Sequence, residues 1–155
     1  MKAAVVFFAA LLLGVPALAQ NAGKSDVFSS PDIHTQLQAL ASKAQASGSA
    51  GLTLADYGSH KVQLSVRTAS GGAEIHAHFD DIMIVQQGSA TLITGGSVTD
   101  GKTGPDGETK GTSITGGKTQ TVSAGDVITV NAGVPHQLLI APGTTYCALV
   151  IKVKE

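Results

Sequence analysis

The sequence predicts an all-β fold, a sandwich or barrel preceded by a single helix, and three observations carry the prediction. Beyond residue 52, short runs rich in Val, Ile, Thr and Leu are separated by Gly, Asp, Asn and Pro. Only residues 31–45 repeat apolar side chains at helical spacing. With a leader of nineteen residues set aside, 136 of the 155 residues remain, enough for one domain with its own core.

Residues 1–19 read as a secretory signal peptide. Lys2 is the positive start, residues 3–13 are apolar, Gly14 and Pro16 interrupt the helix, and Ala17-Leu18-Ala19 offers a small-x-small cleavage site before Gln20. The apolar run is too short to span a bilayer, and no later stretch approaches that length. The expectation is a periplasmic or secreted protein with no membrane span in the mature chain. Cleavage removes Lys2 and takes the formal charge from −1 to −2. With no basic patch and few aromatics, nucleic acid is not an expected partner.

Residues 20–51 form an N-terminal arm. Ser30 is placed as the helix N-cap, Pro31 at the first helical position and Asp32 in the first turn, near the positive end of the dipole. Ile33, Leu37, Leu40, Ala41 and Ala44 make one stripe, and residues 47–51 end the helix. About fifteen residues is marginal for an isolated helix. The stripe must dock on the barrel or on a second subunit, and a homodimer is one expectation. His34 and His60 read as surface residues.

The β region, residues 52–155, divides into eight candidate strands: 61–67, 74–78, 81–86, 90–94, 119–123, 126–130, 136–140 and 145–153. Between them, residues 95–118 hold eight glycines and one proline. Ile93-Thr-Gly-Gly96 recurs as Ile114-Thr-Gly-Gly117, which suits two arms of a long hairpin. The segment is either a solvated loop or a lid over the barrel mouth. Cys147, the one cysteine, excludes an internal disulfide. It reads as a buried, inert thiol unless strand parity turns it inward beside the site.

The chemistry lies in two glycine-framed segments. The first runs from His76-Ala-His78-Phe-Asp80-Asp81 to Gly88, and the second from Gly125-Asp126 to Gly133-Val-Pro135-His136. Strand alternation would put His76 and His78 on one face. Imidazoles with a nearby carboxylate are ligands a divalent transition metal prefers. These segments resemble the two motifs of the cupin superfamily. In the first, His-x-His is followed after three or four residues by a glutamate, then six residues and a glycine. Asp81 stands at the glutamate position by its spacing to Gly88, although only two residues separate it from His78. In the second, Gly125, Gly133 and His136 fall in register, while Asn131 replaces a proline and Ile140 an asparagine. The resemblance spans residues 52–153 and implies a jelly-roll β-barrel, the cupin architecture.

It also implies a site. His76, His78, His136 and Asp81 are the expected metal ligands, with Asp80 as the alternative carboxylate. The metal is one divalent transition ion, and Fe, Mn, Ni, Co, Cu and Zn all fit such ligands. Glu74 shares strand parity with His76 and His78 and is a candidate proton-transfer residue. Gln63, Arg67, Phe79, Met83, Val85, Leu138 and Ile140 are candidate pocket residues, Arg67 as a bidentate partner for an anionic substrate. The expected function is an exported, small metal-dependent enzyme of oxygenase or isomerase type acting on a small molecule. The alternative is a non-catalytic metal- or ligand-binding protein.

Overall fold

A computed structural model describes residues 25–155. The proposed leader, residues 1–19, lies outside the described residues. The first element is the expected helix, α1 (Ser30–Ser47), one residue earlier and two later than the sequence pattern drew it. Ser29, not Ser30, is the N-cap: its hydroxyl accepts the Asp32 amide hydrogen at 3.3 Å. Gly48 ends the helix in the left-handed conformation (φ 82°), donating its N–H to the Ala44 carbonyl at 2.7 Å.

Thirteen strands follow. β1 (Ser49–Asp56) and β2 (His60–Arg67) form a hairpin. β3 (Ala73–Ile75), β4 (Phe79–Gln87) and β5 (Ser89–Thr94) carry the first glycine-framed segment and its continuation. β6 (Ser97–Thr99), β7 (Lys102–Thr103), β8 (Thr109–Gly111) and β9 (Ser113–Thr115) occupy the glycine-rich insertion. β10 (Lys118–Ser123), β11 (Val127–Val130), β12 (His136–Leu139) and β13 (Tyr146–Lys154) complete the chain. One sheet is ordered β1-β2-β13-β4-β11, a second β10-β5-β12-β3-β8-β7, and β6 pairs with β9 alone. Every one of these pairings is antiparallel.

The sheets face each other across an apolar core of Met83, Val85, Ala90, Leu92, Val122, Ile128, Val130, Ile140, Tyr146, Ala148 and Val150. Both sheets contribute alternate residues, as antiparallel strands with one buried face should. Among the described residues no ladder joins the two larger sheets, so the architecture is a two-sheet sandwich rather than the closed barrel expected. Alternation also places Cys147. It points outward, buried beneath α1 with Leu64, Val66, Leu37, Leu40 and Ala44, while Tyr146 and Ala148 point in. The α1 stripe is therefore covered by its own chain, and the helix gives no reason of its own for a second subunit.

Two departures from the sequence reading lie in stretches interrupted by glycine. β1 begins at Ser49, inside the stretch assigned to the arm, and its first residues are Ser-Ala-Gly. It is an edge strand held by the β2 ladder, from Ser49 opposite Arg67 to Asp56 opposite Lys61. The insertion is likewise built from strands. Thr94 opposes Lys118 and Ser97 opposes Thr115, so the two Ile-Thr-Gly-Gly runs are the arms of one long hairpin. Gly95, Gly96 and Gly116, all at φ near +72°, make the bend between its halves.

Gly88 turns β4 into β5 at φ 75°, and a Cβ there would collide with the Thr145 carbonyl. Gly58 has a similar φ of 80° but open space around it. Gly88→Ala should therefore cost more than about 2 kcal/mol, and Gly58→Ala only about 1 kcal/mol. Urea denaturation of the two variants measures both, and equal losses would mean that φ alone, not the close approach, sets the demand for glycine at 88.

Candidate metal centre

β3 ends at Ile75, and this decides the site. His76 follows the strand and turns inward, whereas Ala77 and His78 form an exposed bend. The alternation argument that paired His76 with His78 therefore does not apply. The His78 imidazole instead lies against Gly107, where a Cβ would stand 3.1 Å from its Nε2. The expected set of three histidines is not assembled.

The residues that do converge are Glu74, His76 and His136, each offering a ligand atom within 4.8 Å of the others. Glu74 and His136 face each other directly in the β3–β12 ladder. Asp81, inward on β4 in step with Met83 and Val85, places Oδ2 at 3.3 Å from His76 Nε2 and 3.9 Å from His136 Nε2. Asp80 points the other way and accepts the Ala132 amide hydrogen at 2.7 Å. Of the two aspartates, Asp81 is the one at the centre. Glu74 joins the group as a potential ligand, not only as the proton carrier anticipated.

This arrangement restores the motif spacing that His-x-His appeared to break. From His76, four residues lead to Asp81 and six more to Gly88. Glu74 then stands where the pattern has its first histidine, and His76 is the second. The signal is present in the sequence, but the His76-Ala-His78 run mimics the motif two residues further along.

Two further residues complete the centre, and neither was anticipated. Lys152, inward on β13, places Nζ 2.5 Å from Asp81 Oδ1. Its parity follows from Tyr146, Ala148 and Val150, so alternation along the last strand could have found it. Glu108, from the insertion, pairs its carboxylate with His76 Nδ1. Nothing local marks Glu108. It reaches the site because β8 pairs with β3, setting Thr109 opposite Ile75 and Lys110 opposite Glu74.

The electrostatics sort the two imidazoles. Burial lowers the pKa of His76, but hydrogen bonds to Asp81 and Glu108 outweigh it, and the net shift is upward from 6.5. Burial likewise lowers His136, and there it prevails. His136 Nδ1 lies 3.1 Å from the Val134 carbonyl, which can only accept, so the neutral ring carries its proton there and bares the Nε2 lone pair to Asp81. Burial would raise Asp81, yet bonds to His76 and Lys152 hold its carboxyl below the usual range. The donor set is thus one bare imidazole nitrogen, one imidazole between two carboxylates, and anionic oxygens. Such a set fits a divalent transition ion, with Glu108 fixing the outer nitrogen of His76 as metal-site carboxylates do.

The centre lies in a cavity of about 290 Å³. Gln63, Arg67, Met83 and Leu138 are among its lining residues. Val85 and Ile140 instead belong to the sealed apolar core, and Phe79 lies outside, with Lys61 and Lys152 Nζ each 5.9 Å from its ring centroid. His34 is on the exposed helix surface beside Gln38, and His60 stacks on Tyr57 with ring centroids 4.8 Å apart. Cys147 faces away from the cavity, and burial raises its thiol pKa.

No protein-family model matches the sequence, and no curated protein matches it. Solved structures do share the fold. A Klebsiella pneumoniae protein with a double-stranded β-helix domain has a TM-score of 0.57 at 13% identity, over 84% of this chain and 90% of that one. A predicted oxalate decarboxylase from Thermotoga maritima has a TM-score of 0.52 at 14% identity, over 69% and 81%. The polyketide cyclase RemF from Streptomyces resistomycificus has a TM-score of 0.50 at 22% identity, over 70% of this chain and 66% of the cyclase, just under two thirds of its length. The fold is that of the cupin-like double-stranded β-helix proteins.

Zinc binding should follow the geometry. His76→Ala should abolish it, His78→Ala should leave it within about twofold, and Glu108→Ala should weaken it about 10- to 100-fold. Competition with a chromogenic chelator reads all three, and a His78 loss equal to that of His76 would restore the original three-histidine set. The raised His76 pKa also means that metal and proton compete for its Nε2. Apparent zinc affinity should climb as pH rises through the His76 titration and level off above it, with proton release detectable by calorimetry in two buffers. A flat profile from pH about 6 to 8 would mean that His76 is not a ligand.

Proposed function

We propose that this protein is a metal-dependent enzyme acting on a small molecule, with Glu74, His76, His136 and Asp81 holding one divalent transition ion. One observation carries the reading: four side chains from β3, β4, β12 and the turn after β3 bring donor atoms together inside a cavity of small-molecule size. Two imidazoles and two carboxylates suit Fe, Mn, Ni, Co, Cu and Zn alike, so the ligand set does not select the ion. When bound, such an ion supplies either oxygen activation or Lewis-acid polarisation of a substrate oxygen.

The chain's own residues have assignable tasks. Val134 fixes the His136 tautomer, and Glu108 fixes the orientation of His76. Lys152 neutralises the outer oxygen of Asp81 and holds a proton on Nζ at the cavity wall. Leu52, Met83, Leu138 and Val150 give the cavity apolar walls that limit water around a bound molecule. Oxygenase and isomerase chemistry both remain within this reading, since the fold neighbours' names include a cyclase and a predicted decarboxylase and fold alone selects no reaction. The signal-peptide pattern supports export to a periplasm or the medium. Among the described residues no helix is long and apolar enough to cross a membrane.

Protein produced with mixed metals should carry about one transition ion per chain by elemental analysis. The loaded protein should turn over at least one member of a panel of phenols, diketones and sugars, and His76→Ala should lose both metal and turnover. Full metal content with no turnover anywhere on the panel would favour the non-catalytic metal-binding alternative. Metal content near zero, with the fold intact by circular dichroism, would sink both.

A further inference from the structure

Two polar groups in the cavity have no task in the metal centre. Arg67 and Tyr146 are direct partners in the β2–β13 ladder, so their side chains share the inner face. Both line the cavity. The half-buried Arg67 guanidinium rests against Gly71, where a Cβ would stand 2.5 Å from Nη1. It makes no salt bridge or hydrogen bond with the described residues, although Glu74, Asp81 and Glu108 all serve the centre nearby. Tyr146 is fully buried, and its hydroxyl has no hydrogen-bond partner among the described residues. A buried hydroxyl without a partner is rare in native proteins, and such a group calls for an acceptor. An unpaired guanidinium beside it calls for an anion.

We propose that Arg67 and Tyr146 form the seat of a carboxylate on the small molecule this cavity takes, so that the substrate or ligand is a monocarboxylic acid with an apolar body. The planar guanidinium fork matches a carboxylate in two parallel hydrogen bonds, and the tyrosine hydroxyl supplies a third donor. Charge selects the valence. Glu74 and Asp81 on the cavity wall and Glu108 behind His76, against Lys152 and Arg67, leave the site as a whole one net negative charge when both imidazoles are neutral. A divalent ion makes that one net positive, and a monoanion then balances it, whereas a phosphate dianion overshoots. The body of the acid meets Leu52, Met83, Leu138 and Val150. The charge balance rests on the metal reading above; the seat itself does not.

The test uses the whole zinc-loaded protein with benzoate as probe and benzamide as its neutral counterpart, each titrated by calorimetry with zinc content measured on every sample. Benzoate should bind at least about tenfold more tightly than benzamide. Arg67→Met should remove that preference, Arg67→Lys should keep part of it, and Tyr146→Phe should weaken benzoate severalfold while leaving benzamide unchanged. Equal binding of the two probes to the wild-type protein, or no benzoate binding, overturns the seat. So does a preference that survives Arg67→Met, because the carboxylate would then lie on the zinc. If zinc content is near zero, the metal reading fails separately, and loss of the benzoate preference in Arg67→Met still decides the seat.

Discussion

Asp81 is a buried carboxylate whose two oxygens answer to different partners, and the geometry of the centre depends on it. A buried anion is costly unless it is paired and hydrogen-bonded. Here Oδ1 meets the Lys152 ammonium and Oδ2 faces His76 and His136. Three strands fix it in place, because in the ladders Asp81 lies opposite Lys152 on one side and Val130 on the other. A slip of one residue on β4 would bring Asp80 inward and carry Met83 and Val85 out of the core with it. The apolar packing of the sandwich therefore enforces the register that aims the carboxylate. The hydrogen bonds from Asp81 and Glu108 that raise the His76 pKa favour positive charge at this place, and the same carboxylates would favour the divalent ion of the proposed metal site.

The insertion is the second determinant. β8 extends the six-stranded sheet beside β3, and the turn before it delivers Glu108 to the outer nitrogen of His76. Asp106 shapes that turn by accepting the Glu108 amide hydrogen at 3.2 Å, and Gly107 lets the chain pass close over Ala77 and His78. The exposed bend at His78 is thus packed against the insertion, while His76 is held from two sides. A segment that reads as surface by composition is structurally part of the centre.

Much of this was legible from residues alone. Turn glycines, short β-rich runs and the helical stripe predicted a β domain with one helix, since each is set by local backbone preference and by the period of side-chain burial. The long hairpin was readable from the repeated Ile-Thr-Gly-Gly, and His136, Asp81 and the inward side of β4 from their spacing to Gly88 and Gly133. Where a strand opens on Ser-Ala-Gly, as β1 does, or runs only two or three residues in a glycine-rich segment, as β6 to β9 do, pairing with a neighbour rather than local pattern makes the strand.

What the sequence by itself determined, then, was the kind of fold and the chemical type of the site, because periodicity and residue chemistry are properties of short stretches. Tertiary structure decided membership of the site. Where β3 stops determines whether His76 or His78 turns inward, and that end point is set by the bend that packs Ala77 and His78 against Gly107. Glu108 and Lys152 meet the centre across 32 and 71 residues of chain, distances that only sheet pairing closes. Whether the sheets close into a barrel is a matter of edge pairing between distant strands, to which the alternation within any one strand is blind.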